Sequence, residues 1–344
     1  MSRQYLIIFI GLCFLQPALS AGCRKPAQPA VPETDLMAVP QGFPAMTVPQ
    51  DNAFTPARWQ LGKKLFYDKS LSVTNTISCA SCHHSALAFS DSVALSAGVN
   101  GAAGTSNAPT LTNIGYHSSY TRAGGVPTLE MQVLVPIQEH NEFNTSILDI
   151  AAKLAADGTY QSMAQQAYNR NLDAYAITRA LACFERSLIS GNSRFDQYQY
   201  QGKSTALSAQ ELQGMQLFFS DRTNCSGCHG GFNFTNDQFE NNGLYLNYAD
   251  SGRMRFTHLE SDRARFKVPT LRNIALTAPY MHDGSINSLE EVIEHYNSGG
   301  VAHPNKSALI KPLQLSTAEK ASLVAFLKSL SDYTFISNKN FKNE

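Results

Sequence analysis

The sequence predicts an all-α protein made of two tandem copies of one unit, with long loops between its helices. Three observations predict it. A short cysteine motif occurs twice, as Cys79-Ala80-Ser81-Cys82-His83 and as Cys225-Ser226-Gly227-Cys228-His229. Residues 109–136 align without a gap with residues 269–296: Pro109-Thr110-Leu111, Asn113-Ile114, Tyr120, Gly124 and Leu129-Glu130 recur as Pro269-Thr270-Leu271, Asn273-Ile274, Tyr280, Gly284 and Leu289-Glu290. Elsewhere the apolar residues recur at helical spacing, and few segments alternate as strands do.

In each motif two thiols are spaced to form thioether bonds to the vinyl groups of a haem. The histidine that follows is placed to ligate its iron. The competing reading is one structural zinc held by four sulfurs, but such a site does not need a histidine directly after each pair. Two motifs inside a repeat therefore imply two tandem cytochrome c-type haem domains, each built on its own covalently bound c-type haem.

Taken in order, residues 1–22 carry Arg3, an apolar run from Tyr5 to Leu15 and small residues through Gly22, the pattern of a secretory signal too short to span a membrane. Export to the periplasm follows, and it suits a chain with c-type haem. Cys23 follows Leu19-Ser20-Ala21-Gly22, a loose match to a lipoprotein cleavage site with the leucine one position too far away, so a lipid anchor at Cys23 stays open. Residues 23–57 are rich in proline (Pro26, Pro29, Pro32, Pro40, Pro44, Pro49 and Pro56) and read as an arm or linker.

Residues 58–200 form the N-terminal haem domain and 201–335 the C-terminal one. Gln60 to Asp68 precedes the first motif much as Gln213 to Asp221 precedes the second. Residues 145–190 continue the helical pattern between them. Ser208 with Glu211, and Ser316 with Glu319, are capping boxes that open helices. Cys183, in an Ala-Leu-Ala-Cys-Phe run, reads as a buried inert thiol. Lysine plus arginine and aspartate plus glutamate both total 27, which gives no net charge and no signal for nucleic acid or an anionic membrane. No later apolar run is long enough to span a bilayer.

The two irons are predicted to differ. A filled sixth position makes a haem an electron carrier, and an open one lets it bind peroxide. The segment from Glu290 to Tyr296 reads as helix, and the gapless repeat sets Tyr296 opposite Pro136, which has no donor atom for iron. The second haem has a phenol candidate, with His295, Met254 and Met281 as other candidates, where the first has none.

At this point the chain resembles the bacterial di-haem cytochrome c peroxidase family, and within it the MauG- and MbnH-like branch, over nearly all of residues 50–332. The first haem motif carries the likeness, with Pro269-Thr270-Leu271-Arg272-Asn273-Ile274, Ala278-Pro279-Tyr280-Met281-His282-Asp283-Gly284 and Leu289 to Tyr296. The resemblance implies that the residue spaced from His282 as Tyr296 is ligates the second iron. Ordinary members have methionine there, and MauG has tyrosine. An anionic phenolate would favour the oxidised iron and lower its potential.

It implies further that Glu142 is the distal acid–base, Gln132 orients peroxide and Pro136 keeps the site roomy, with His140 as another candidate base and a solvated loop as the structural alternative for Glu142. Ordinary members block the first haem with a histidine at the position of Val99, and the loop from Ala97 to Thr105 has none, so the first iron should be open. Asn107, Thr277 and Pro279 fall where the family holds one calcium ion, with a hydrogen-bond network as the alternative. His282 falls beside a haem propionate. One departure stands out: where the family places a tryptophan between the haems, this chain has Arg122, which leaves Tyr116 or Tyr120 to relay charge, or the haems less well coupled.

The expected function is an exported di-haem peroxidase that uses hydrogen peroxide to oxidise a tryptophan of a partner protein. A cytochrome c peroxidase fed by a small cytochrome is the alternative, and a pure electron-transfer cytochrome with both irons six-coordinate is a third reading.

Overall fold

The structure, a computed structural model, describes Met1 and residues 36–343. The signal segment, Cys23 and the arm up to residue 35 lie outside the described residues. Each half is organised by one crossing of two helices. In the first half the helix Pro56–Tyr67 packs on Ala174–Arg186, and in the second Ala209–Phe218 packs on Thr317–Ser329.

Both crossings are set by a glycine. A Cβ on Gly62 would lie 1.9 Å from the Ala180 carbonyl oxygen, and one on Gly214 would lie 1.9 Å from that of Ser322. Only a bare Cα lets the backbones meet so closely. Around the first crossing Leu61, Leu65 and Phe66 bury against Ile177, Leu181 and Phe184, the rings of Phe66 and Phe184 5.0 Å apart. Around the second, Phe218, Phe234 and Phe326 do the same, with Phe218 and Phe326 5.2 Å apart. Each such buried side chain contributes about 1.5–3 kcal/mol.

The helix starts follow local chemistry. Thr55 accepts from the Arg58 N–H, with Pro56 at the first helical position. Ser208 with Glu211 and Ser316 with Glu319 both form the expected reciprocal boxes. The predicted helical stretch 145–190 resolves into Ile147–Leu154, Gly158–Tyr168 and Ala174–Arg186, capped by Ser146, Asp157 and Asp173. The only strands among the described residues are Phe239–Glu240 and Phe266–Lys267, paired antiparallel.

The sequence repeat is a structural repeat. Asn113 and Asn273 both take left-handed backbone (φ 56° and 60°) ahead of matching turns at Ile114–Tyr116 and Ile274–Leu276. Bridges join Tyr120 to Val126 and Tyr280 to Ile286. Thr128 and Ser288 then cap helices that begin at Leu129 and Leu289. From there the copies part. Leu289–Ser298 runs unbroken, whereas the first copy divides into Leu129–Gln132 and Leu134–Gln138. Pro136 sits in the second piece and has no N–H to continue the ladder back through Gln132.

The halves are tied by polar links. Arg272 and Asp196, 1% and 0% exposed, pair at 2.8 and 2.9 Å. Asp332 accepts from the backbone of Gly191 and Asn192 and from the Ser190 hydroxyl. No described helix is long and apolar enough to cross a membrane.

Candidate haem sites

The first motif folds as a tight turn, Cys79–Ser81, held by reciprocal bonds between Ser78 and Ser81. The second forms the short helix Cys225–Cys228. All four cysteines are partly buried. The histidines are held alike. Nδ1 of His83 lies 2.8 Å from the Phe89 carbonyl, and Nδ1 of His229 lies 3.1 Å from that of Phe234. That bond fixes the tautomer and leaves Nε2 for a metal. Burial also lowers both imidazole pKa values and so favours the neutral, ligating form.

On the first site, Glu142 lies near enough to Cys79 and Cys82 to act electrostatically on both. Burial raises its own pKa, and the Glu139 charge adds to this. Gln132 contributes a buried side-chain oxygen with no hydrogen-bond partner. An orphaned acceptor of that kind costs about 1–3 kcal/mol unless a ligand or water meets it, which suits a residue that receives peroxide. Pro136 accepts the Phe143 N–H at 3.1 Å and so folds the Glu142 loop back over its helix. His140 is exposed. Val99 is 2% exposed and donates its N–H to the Glu142 carbonyl at 2.9 Å.

On the second site, Tyr296 lies in the last turn of Leu289–Ser298. Burial pushes its phenol up to about 12; the Asn242 side chain opposes this, and the nearby Cys228 and Cys225 thiols reinforce it. Tyr296 therefore lies near the second motif. Asn242 meets all three neighbouring candidates: its side chain hydrogen-bonds the Tyr296 phenol, its carbonyl lies 3.0 Å from His295 Nε2, and its amide nitrogen lies 3.2 Å from the Met281 sulfur. Met254 opens the short helix Met254–Thr257. The ring of His282 stacks on Phe266 at 4.2 Å. These donor sets fit two haems, His83 with Cys79 and Cys82, and His229 with Cys225 and Cys228.

The calcium expectation meets a different arrangement. Asn107 is 3% exposed, and its side-chain oxygen accepts from Arg122 Nη2 at 2.7 Å while its carbonyl accepts from Arg122 Nε at 2.7 Å. A calcium ion about 2.4 Å from that oxygen would lie within about 5 Å of the guanidinium. Repulsion between them would be about 7 kcal/mol at an effective dielectric near 20. The donor set around Asn107 does not fit a dication while Arg122 is there. Thr277 is buried and donates its hydroxyl to the Ile274 carbonyl, a bond that does not engage its backbone carbonyl, the expected ligand.

Three features had no signal in the sequence strong enough to find them. Asn242 sits in a loop of asparagines. The seam role of Arg122 shows only once the halves are folded. Glu185, 8% exposed with its pKa raised to about 8 by burial, follows an apolar helical face.

The fold and the paired histidine–cysteine sites define a peroxidase class. Residues 56–205 match the family model of di-haem cytochrome c peroxidase and residues 211–331 that of cytochrome c. The chain is 35% identical to methylamine utilization protein MauG of Methylorubrum extorquens over 82% of this chain and 80% of that one. It is 34% identical to cytochrome c551 peroxidase of Nitrosomonas europaea over 79% of each. Among solved structures, a MauG-like protein associated with microbial copper homeostasis superposes with a TM-score of 0.84 at 36% identity, covering 89% of this chain and 98% of that one. The chain belongs to the di-haem cytochrome c peroxidase family: it is an oxidoreductase that acts on peroxide and carries two c-type haems.

Proposed function

We propose that this is a periplasmic MauG-like peroxidase that oxidises a tryptophan side chain of a partner protein, with residues 58–200 as the peroxidatic haem domain and 201–335 as the tyrosine-ligated one. The observation that carries this reading is that Pro136 and Tyr296 occupy the same place in the repeat. When bound, the haems supply iron that can take up two oxidising equivalents from hydrogen peroxide.

The protein's own part begins with Gln132, whose unpartnered oxygen accepts an O–H from peroxide. Glu142 takes the proton from the inner oxygen and delivers it to the outer one, which leaves as water. Pro136 contributes no donor and leaves the distal face clear. Val99 in place of a histidine keeps the first iron open without prior reduction. Tyr296, as phenolate, would hold the iron of the second haem and would favour its oxidised states. The N-terminal pattern supports export, with a lipid anchor at Cys23 as a variant of the same location.

Adding one equivalent of hydrogen peroxide to fully ferric enzyme, with no reductant, tests this. The visible spectrum should change at once and persist for minutes. No reaction before one-electron reduction would sink it. That second outcome belongs to the alternative, a peroxidase fed by a small cytochrome, which the likeness to the Nitrosomonas enzyme supports.

A further inference from the structure

The structural repeat extends upstream of Pro109, and there it builds the seam between the halves. Counted in the same register, Asn107 is the mate of Lys267, Ser119 of Pro279, and Arg122 of His282. Asn107 donates its backbone N–H to the His282 carbonyl at 2.9 Å, and Lys267 donates its own to the Arg122 carbonyl at 2.6 Å. Each half thus lends one carbonyl to the other in a pseudo-two-fold exchange.

The side chains complete the two sides differently. Lys267 is its own cation: its ammonium donates to the Ser119 carbonyl at 2.7 Å. Its mate Asn107 carries no charge. The asparagine amide nitrogen donates to the Val93 and Ala94 carbonyls at 3.2 and 3.3 Å, which fixes the direction of its oxygen. Onto that oxygen, and onto the Asn107 carbonyl, comes the planar fork of Arg122.

We infer that Arg122 is the resident cation of the Asn107 seat, so that the seam carries two side-chain cations, Lys267 reaching across it and Arg122 fastening Asn107 within the first half, and needs no calcium ion there. Lys267 serves one side of the pseudo-two-fold and Arg122 the other. The guanidinium is the better device at Asn107 because two oxygens of one residue must be met at once, which a fork does and a lone ammonium does not. The inference does not depend on what the enzyme oxidises.

The test uses haem-loaded enzyme, dialysed against EGTA, with calcium counted by elemental analysis and thermal unfolding followed by circular dichroism. Wild type should hold far less than one calcium per chain, and its midpoint should move by less than about 1 °C with EGTA or with added calcium, since a ligand that does not bind the native state cannot stabilise it. Arg122→Gln, which removes the charge, should take up calcium and gain about 5 °C on saturation. Wild type that retains one calcium per chain and loses several degrees in EGTA would overturn the inference, as would an Arg122→Gln protein that folds and ignores calcium. The wild-type arm decides even if the variant does not fold.

Discussion

Val99 donates its backbone N–H to the Glu142 carbonyl at 2.9 Å, so the loop that carries Val99 holds the Glu142 loop in place. The next contact is tighter: a Cβ on Gly98 would fall 1.8 Å from the Asn141 carbonyl oxygen. The two loops are joined backbone to backbone, and the Glu142 side chain is thereby set near the first motif.

Gly98→Ala should therefore push the Asn141–Glu142 backbone away and slow the reaction with peroxide at least tenfold, because small displacements of a positioned group are costly. Stopped-flow absorbance at saturating peroxide checks this. The redox potential of the second haem should not change.

The pH profile should report Glu142 itself. Peroxide must lose a proton to the carboxylate form, and burial together with Glu139 raises this pKa. The rate should fall as pH drops through a value above the ordinary carboxylate range. Glu142→Gln should abolish that limb and slow the step about 10²–10⁴-fold.

Glu185 predicts a stability effect. Its pKa is near 4.5 when unfolded and about 8 when folded, so between those values the folded state holds a proton that the unfolded state releases. Stability should fall as pH rises through this window, by at most about 1.4 kcal/mol per unit. Glu185→Gln should match wild type near pH 4.5 and exceed it above pH 8 in urea unfolding, at concentrations where both remain haem-loaded.

The helix crossings should be equally intolerant in both halves. Gly62→Ala and Gly214→Ala each drive a methyl into a carbonyl at 1.9 Å and should cost about 1–3 kcal/mol. Thermal unfolding would show whether the two losses match, as the repeat requires.

Much of this molecule is legible in its sequence because the signals are local. The haem motifs need only neighbouring residues, the capping boxes Ser208/Glu211 and Ser316/Glu319 span one turn, and a gapless repeat predicts that Asn113 and Asn273 will share a conformation. What escapes is long-range. The exchange between Asn107 and His282 and between Lys267 and Arg122 joins residues far apart in the chain, and nothing local in Asn107 tells whether a metal or an arginine will meet its oxygen. The orphaned oxygen of Gln132 is likewise a property of the folded crevice.

The central claim is an unequal pair of irons, and resonance Raman spectroscopy of the resting ferric enzyme tests it most directly. Iron–phenolate modes should be present and should vanish in Tyr296→Phe, and the first haem, that of His83, should be five-coordinate and high-spin. A spectrum with no phenolate modes, or with both haems six-coordinate and low-spin, would contradict it.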